Sequence, residues 1–295
     1  MFPDRPVAGQ TIRRTGSRAA ILICKGLGLS NILDEILASK REEVERARRA
    51  RPLEDLKSQP GYFWPRRNFY GAVAVPRRRG PNLIAEIKRA SPSAGLIRAD
   101  FDPVAVARQY AAGGAQALSV LTDQQYFGGR LEYIEQVKAA VELPVLRKDF
   151  LVDAYQVHES RAAGADAVLV IAEALDMGAV GELVGLARAL ELWVLLEVHT
   201  RERLLEVLQS LPKGQREGVL IGVNNRDLQA QQVDLGTTEA LARIIPPGMP
   251  IVAESGIRTR RDVERMHAAG ARALLVGERL MRSKDPQRTI RELFG

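Results

Sequence analysis

Cysteine is almost missing from the chain: Cys24 stands alone among 295 residues, so no internal disulfide and no cysteine-based zinc site can form. Nothing points to an oxidising compartment, and a reducing cytoplasm is the expected location. Histidine is nearly as scarce. Of His158, His199 and His267 two fall in helical text, which argues against a histidine metal triad. Aromatic residues make up only 5%, too few for a module built on stacking platforms. No apolar run reaches the ~18 residues a membrane span requires. Neither G-x-G-x-x-G nor G-x-x-x-x-G-K-[ST] occurs between a strand and a helix, so the usual dinucleotide and P-loop phosphate cradles are absent.

What is abundant is small and aliphatic. Apolar residues reach 46% and glycines number 25, a composition closer to an α/β enzyme than to a sandwich. The net charge of +7 is concentrated at one end: residues 1–80 carry 17 Lys+Arg against 8 Asp+Glu, and the remaining residues are close to neutral. A positive end can draw in an acidic substrate or a polyanion. The reading adopted is a solvated basic helix and tail.

Residues 1–30 mix Gly, Pro and Arg without periodicity and read as a loosely held basic tail. Arg13-Arg14 before Ala19–Leu29 only faintly resembles a twin-arginine export signal, because Lys25 interrupts the apolar stretch and no A-x-A-like cleavage site is present. An Arg-rich organelle transit peptide is a second, weaker reading. From Ser30 or Asn31, either of which can cap, Ile32, Leu33, Ile36, Leu37 and Val44 fall at helical spacing. Residues 31–80 are thus expected as a helical N-terminal extension, broken by Pro52, Pro60 and Pro65 and ending in a linker from Pro76 to Pro81. Tyr62, Phe63 and Trp64 are expected to seal this extension onto the remainder of the fold.

After Pro81 short apolar runs alternate with amphipathic helical stretches. Eight strands are expected: Asn82–Lys88, Ala117–Leu121, Val145–Lys148, Ala167–Ile171, Trp193–Glu197, Val219–Val223, Ile251–Glu254 and Ala273–Val276. Three helix ends repeat an Ala-Ala-Gly text in which glycine supplies a left-handed residue. Eight βα units over residues 81–295 fit a single (β/α)8 TIM barrel, an α/β fold.

In such a barrel the active site forms where the strands end. Glu86 and Lys88 close strand one, Lys148 strand three, Glu197 strand five, Asn224 strand six and Glu254 strand seven. If Leu83, Ala85 and Ile87 face the helices, Glu86 and Lys88 point inward. One buried ion pair could be a mere plug. Two lysines and three glutamates meeting at one rim are costly to desolvate without a use, and they suit proton transfer. Phosphate binding is expected at Ser91 and Ser93 after strand one and at Ser255, Gly256, Gly277 and Glu278 after strands seven and eight. His199 is read as exposed rather than as support behind Glu197, Glu173 as a solvated helix start rather than a further carboxylate of the site, and Phe127 and Phe150 as pocket walls or loop packing.

The texts Glu86-Ile87-Lys88-Arg89-Ala90-Ser91-Pro92-Ser93, Ser119-Val120-Leu121-Thr122-Asp123, Arg147-Lys148-Asp149-Phe150, Leu196-Glu197-Val198-His199, Gly222-Val223-Asn224-Asn225-Arg226-Asp227-Leu228, Glu254-Ser255-Gly256-Ile257 and Gly277-Glu278 together resemble the indole-3-glycerol phosphate synthase family of tryptophan biosynthesis, from about residue 31 onward. The resemblance implies ring closure of 1-(2-carboxyphenylamino)-1-deoxyribulose 5-phosphate with loss of CO2 and water. It implies that Lys148 protonates the developing alkoxide and that Lys88, Glu86 and Glu197 serve the dehydration. Asn224 and Glu254 would orient the substrate. Arg226 would meet the anthranilate carboxylate, Phe127 and Phe150 would hold the ring, and Ser91, Ser255, Gly256 and Gly277 the phosphate. The extension would lie over the barrel mouth. Glu278 departs from the serine common in the family, so only its backbone N–H could serve the phosphate. No cofactor or metal is implied. The expected partner is the small phosphorylated substrate, with no nucleic acid and no membrane, and the expected state is a monomer or weak homo-oligomer. A phosphoribosyl isomerase is the rival enzyme, disfavoured because the sole cysteine lies in the tail. A nucleic-acid-binding barrel is the rival of another class, disfavoured because few aromatics interleave the N-terminal arginines.

Overall fold

A computed structural model describes residues 32–78, 80–212, 214, 216–227 and 232–295. The expected tail, its Cys24, the Ser30 or Asn31 cap, and Leu228 lie outside these residues. The extension forms α1 (Ile32–Ala50), α2 (Leu53–Lys57), α3 (Pro60–Phe63) and α4 (Phe69–Ala74), and the prolines fall at the breaks between or the start of the short helices. Eight parallel strands close the barrel: β1 (Asn82–Ile87), β4 (Ala117–Leu121), β5 (Val145–Lys148), β6 (Ala167–Ile171), β7 (Trp193–Val198), β8 (Val219–Asn224), β9 (Ile251–Glu254) and β10 (Ala273–Val276). A small hairpin, β2 (Ala90–Ser91) with β3 (Gly95–Leu96), comes directly after β1. Five strands have the expected bounds, and the other three, β1, β7 and β8, shift by one residue at their C-terminal ends.

Alternation decides what each strand residue faces. Leu83, Ala85 and Ile87 of β1, with Leu196 and Val198 of β7 and Ile221 and Val223 of β8, join the layer between barrel and helices. Ile84, Leu146, Leu195, Leu220 and Val252 fill the interior. The same parity therefore sends Glu86, Lys148, Glu197, Asn224 and Glu254 inward, one step further along their strands. The repeated helix ends work as expected: Gly114, Gly164 and Gly270 have φ of 95°, 84° and 100°, values that glycine adopts without strain.

The extension covers more than the mouth. Ile32, Leu33 and Ile36 of α1 look into the cavity at the C-terminal ends of the strands. By contrast α4 closes the opposite end: the Asn82 side chain, at the start of β1, donates to Val73 O and Val75 O, and Tyr70 stacks on Trp193 at the start of β7. Between them Arg67 donates to Val141 O, Leu143 O and Lys138 O ahead of β5. Tyr62 seals α3 by a 2.7 Å hydrogen bond to His158, and Trp64 lies against Gly164. Phe63 is 72% exposed and seals nothing, because α3 is one turn long and has a single inner face.

Candidate active site

The strand ends open into a cavity of about 610 Å³, within the range of small-ligand sites. Its wall includes Glu86, Lys88, Lys148, Glu197, Asn224 and Glu254, and also Ser91, Phe127, Phe150, Arg226, Ser255, Gly256, Gly277 and Glu278. Residues separated by nearly two hundred positions thus meet at one rim.

Two ammonium–carboxylate pairs organise it. Lys88 Nζ lies 2.5 Å from Glu86 Oε1. Lys148 Nζ lies 3.1 Å from Glu197 Oε2 and 3.7 Å from Glu254 Oε2. Asn224 Nδ2 donates to Glu197 Oε1 at 3.0 Å, while Asn224 Oδ1 accepts the Arg226 N–H. Burial works against the charge of Lys148, but Glu197, Glu254 and Glu86 outweigh it and raise its proton affinity above that of an ordinary lysine. The two central carboxyls are driven apart. Burial would raise Glu197, yet Lys148, His199 and the Asn224 hydrogen bond hold it down at about 2. Burial, and then the Glu197 charge beside it, push Glu254 well above the carboxylate range. The two directions differ, Glu197 favouring the anion and Glu254 holding a proton more readily, and Glu254 Oε1 is buried with no hydrogen-bond partner among the described residues.

Glycine makes room for these carboxyls. Gly222 sits beside Glu197 in the register, and a Cβ there would collide with Glu254 Oε1. A Cβ on Gly277 would collide with the Glu86 carboxylate, so this residue has a packing reason for lacking a side chain, independent of any phosphate. The Ser255-Gly256 turn has φ of 64° and 84°, pinned by Asn225, whose Nδ2 donates to Glu254 O and Ser255 O. Ser91 Oγ accepts the Ala94 N–H and fixes the turn after β1. Glu278 lines the cavity but its carboxylate accepts from Arg282 Nε at 2.9 Å. Phe127 and Phe150 face each other with ring centroids 6.1 Å apart.

Two sequence readings need correction. His199 is not exposed: its side chain is 8% accessible, with Nδ1 3.0 Å from Glu173 Oε2 and Nε2 3.3 Å from Glu197 Oε1. Glu173 is half-buried rather than fully solvated, and its Oε1 accepts the His199 backbone N–H at 2.6 Å. The 3-10 turn Ala172–Ala174 after β6 folds it back over the end of β7. Sequence reading also missed a buried network behind the site. Lys40 of α1 is 1% exposed and touches Asp123 Oδ2 at 2.9 Å and Asp149 Oδ1 at 3.0 Å. Asp149 pairs in turn with Arg147, which reaches Glu159. The available signal was Lys40 itself, a lysine on the apolar stripe of Leu33, Ile36, Leu37 and Val44.

Against known proteins, the family model for indole-3-glycerol phosphate synthase matches residues 33–293. The chain belongs to the indole-3-glycerol phosphate synthase family. It is 48% identical to the indole-3-glycerol phosphate synthase of Rhodospirillum rubrum over 90% of this chain and 100% of that one. With the Burkholderia multivorans and Geobacillus thermodenitrificans enzymes of the same name it shares 46%, again over 90% of this chain, and over 100% and 97% of theirs. Membership makes it a carboxy-lyase of tryptophan biosynthesis. Among solved structures, 3-hexulose-6-phosphate synthase from Salmonella typhimurium superposes with a TM-score of 0.58 at 14% identity, covering 72% of this chain and 96% of that one. That likeness speaks for the barrel fold alone. No described helix is long and apolar enough to cross a membrane.

Proposed function

We propose that this member of the indole-3-glycerol phosphate synthase family converts 1-(2-carboxyphenylamino)-1-deoxyribulose 5-phosphate by general acid–base catalysis between the two lysines and the glutamates at the rim. The observation that supports the reading is the meeting of both lysines with their carboxylates at one cavity: Lys148 Nζ lies 3.1 Å from Glu197 and 3.7 Å from Glu254, and Lys88 Nζ lies 2.5 Å from Glu86.

The ring carbon bearing the carboxylate attacks the ketone carbon, and a carbon–carbon bond forms as the ketone π pair moves to oxygen. Lys148 supplies the proton to that oxygen. Loss of CO2 returns its bonding pair to the ring and restores aromaticity. Lys88 then protonates the departing hydroxyl, which leaves as water, while a carboxylate takes the proton from the neighbouring CH2. Glu197 suits this role because its proton affinity is coupled to Lys148. Once Lys148 has given up its proton, the larger of the two positive charges holding Glu197 down is gone, and the carboxylate becomes a stronger base when a base is needed. Glu254, with Asn224, orients the substrate hydroxyls.

The anthranilate ring rests between Phe127 and Phe150 with its carboxylate toward Arg226. The phosphate is held by Ser91 and by the turns at Ser255, Gly256 and Gly277. Glu278, already drawn to Arg282, keeps its carboxylate from the phosphate. The enzyme works as a monomer or weak homo-oligomer in the cytoplasm without nucleic acid, and of the extension expected over residues 31–80 it is α1 that adds cover at the mouth. The test is to supply the substrate and follow indole fluorescence. Wild type turns over, and Lys148→Met loses about 10²–10⁴ in kcat, the range for one general acid. A silent wild type or an unimpaired variant would remove the reading.

A further inference from the structure

Behind the rim lie two titratable side chains, Glu173 and His199, that the proposed mechanism does not use. Glu173, His199 and Glu197 form a continuous row leading from a partly exposed carboxylate, through an enclosed imidazole, to the carboxylate that faces Lys148. Neither ring nitrogen makes a straight hydrogen bond, and neither does Glu173 Oε2. A neutral imidazole so enclosed would leave a nitrogen lone pair facing a carboxylate oxygen. An imidazolium instead has a carboxylate against each nitrogen, an arrangement held by charge attraction. A second anchor fixes the ring's position, since Glu173 Oε1 takes the His199 backbone N–H.

From this geometry we propose that His199 and Glu173 are positioning residues for the reaction: Glu173 holds His199 as the imidazolium, and the imidazolium fixes Glu197 in place as the anion beside Lys148. The inference rests on the role assigned to Glu197 in the proposed function. The charged groups around the ring agree with it. Burial disfavours the charge on His199, and Lys148 opposes it from β5, but Glu173 after β6 and Glu197 on β7 more than compensate and hold its proton affinity above the ordinary histidine value. Arg203 on the next helix is turned away, bound to Leu175 O and Glu206. Loss of the proton from His199 would leave Glu197 with Lys148 and Asn224 as its remaining partners and remove the positive charge that fixes Oε1 from the far side.

The test has two readouts. His199 is one of three histidines, so its imidazole can be titrated by NMR in the intact enzyme. The midpoint should lie above the ordinary histidine value in wild type and fall by about one pH unit in Glu173→Gln. The kcat profile should show a limb that declines as pH rises through this midpoint. In Glu173→Gln that limb should move down by the same interval. In His199→Gln it should vanish, leaving kcat low, by roughly tenfold, and flat across the window. Thermal melts on each variant establish that it is folded. A limb unmoved in both variants, or a His199 midpoint indifferent to Glu173, would overturn the inference. Glu197→Gln separates the two levels. If it keeps wild-type turnover, the role of Glu197 fails and this inference with it. If it abolishes turnover while His199→Gln retains the wild-type profile, only the inference fails.

Discussion

Replacing Lys40 with methionine removes one charge from a site where three carboxylates surround it. The ammonium lies 2.9 Å from Asp123, 3.0 Å from Asp149 and 2.9 Å from Glu43, and the side chain is 1% exposed. Glu43 is 41% exposed and can turn to water, so its share is small. Asp149 keeps Arg147 and Thr122, whereas among the described residues the Asp123 carboxylate keeps only the Tyr126 N–H it caps. Breaking a buried pair on one side costs about 3–5 kcal/mol, and the partners left to Asp149 place Lys40→Met near the lower figure. At roughly 2–4 °C per kcal/mol for a chain of a few hundred residues, Tm should fall by roughly 6–12 °C. The folded-state affinity of Lys40 is raised above 10.5, so its contribution is complete below that value and is lost only as pH climbs beyond it. The loss is therefore fully visible at neutral pH. Asp149 works in the other direction: despite burial, Arg147 and Lys40 hold it at about 2 against 3.8, so its contribution is present above 3.8 and lost as pH falls toward 2. Without Lys40 that window shifts upward, and acid unfolding should begin at higher pH. Adding Asp123→Asn to the variant should restore part of the stability. Urea titration monitored by circular dichroism, repeated across the acid range, gives both the loss and its pH window. A loss below about 1 kcal/mol, or no recovery in the double variant, would refute the network as a clamp of α1 onto the barrel.

Space and strain set the other expectations. Gly222→Ala puts a methyl against Glu254 Oε1 and Leu195 Cδ1; it should cost about 1–3 kcal/mol and reduce kcat more than it raises KM, as steady-state kinetics and a melt would show. Gly256→Ala combines a φ of 84° with a clash against Val233 Cγ1 at 2.6 Å, and should weaken the hold on phosphate, read as a rise in KM. Phe63→Ser, on a ring 72% exposed, should leave stability within about 0.5 kcal/mol, measurable in the same melt.

The barrel was legible because its signal is periodic. Buried parallel strands make short aliphatic runs, and strand parity by itself assigns Glu86, Lys148 and Glu197 to the interior. The convergence of the candidate site residues at one rim was legible for the same reason, charges being conspicuous at the ends of such runs. What escaped reading depends on chain segments that meet only in three dimensions. His199 looks exposed in sequence because two residues past a strand normally means a loop; its burial comes from Glu173, 26 positions away. The inward turn of Lys40 needs Asp123 and Asp149 opposite it. Gly277 was read as a phosphate contact, although its missing side chain also accommodates Glu86. That α4 closes the far end of the barrel was hidden because a six-residue helix carries too little pattern to say what it packs on.

The division of labour between the two lysines can be measured by mixing enzyme in excess with substrate and recording CO2 release and indole fluorescence over a single turnover. If Lys148 drives ring closure and Lys88 the later loss of water, Lys148→Met should delay both signals together, while Lys88→Met should release CO2 well before indole appears. Early CO2 from the Lys148 variant, or two signals that stay locked together in the Lys88 variant, would contradict the assignment.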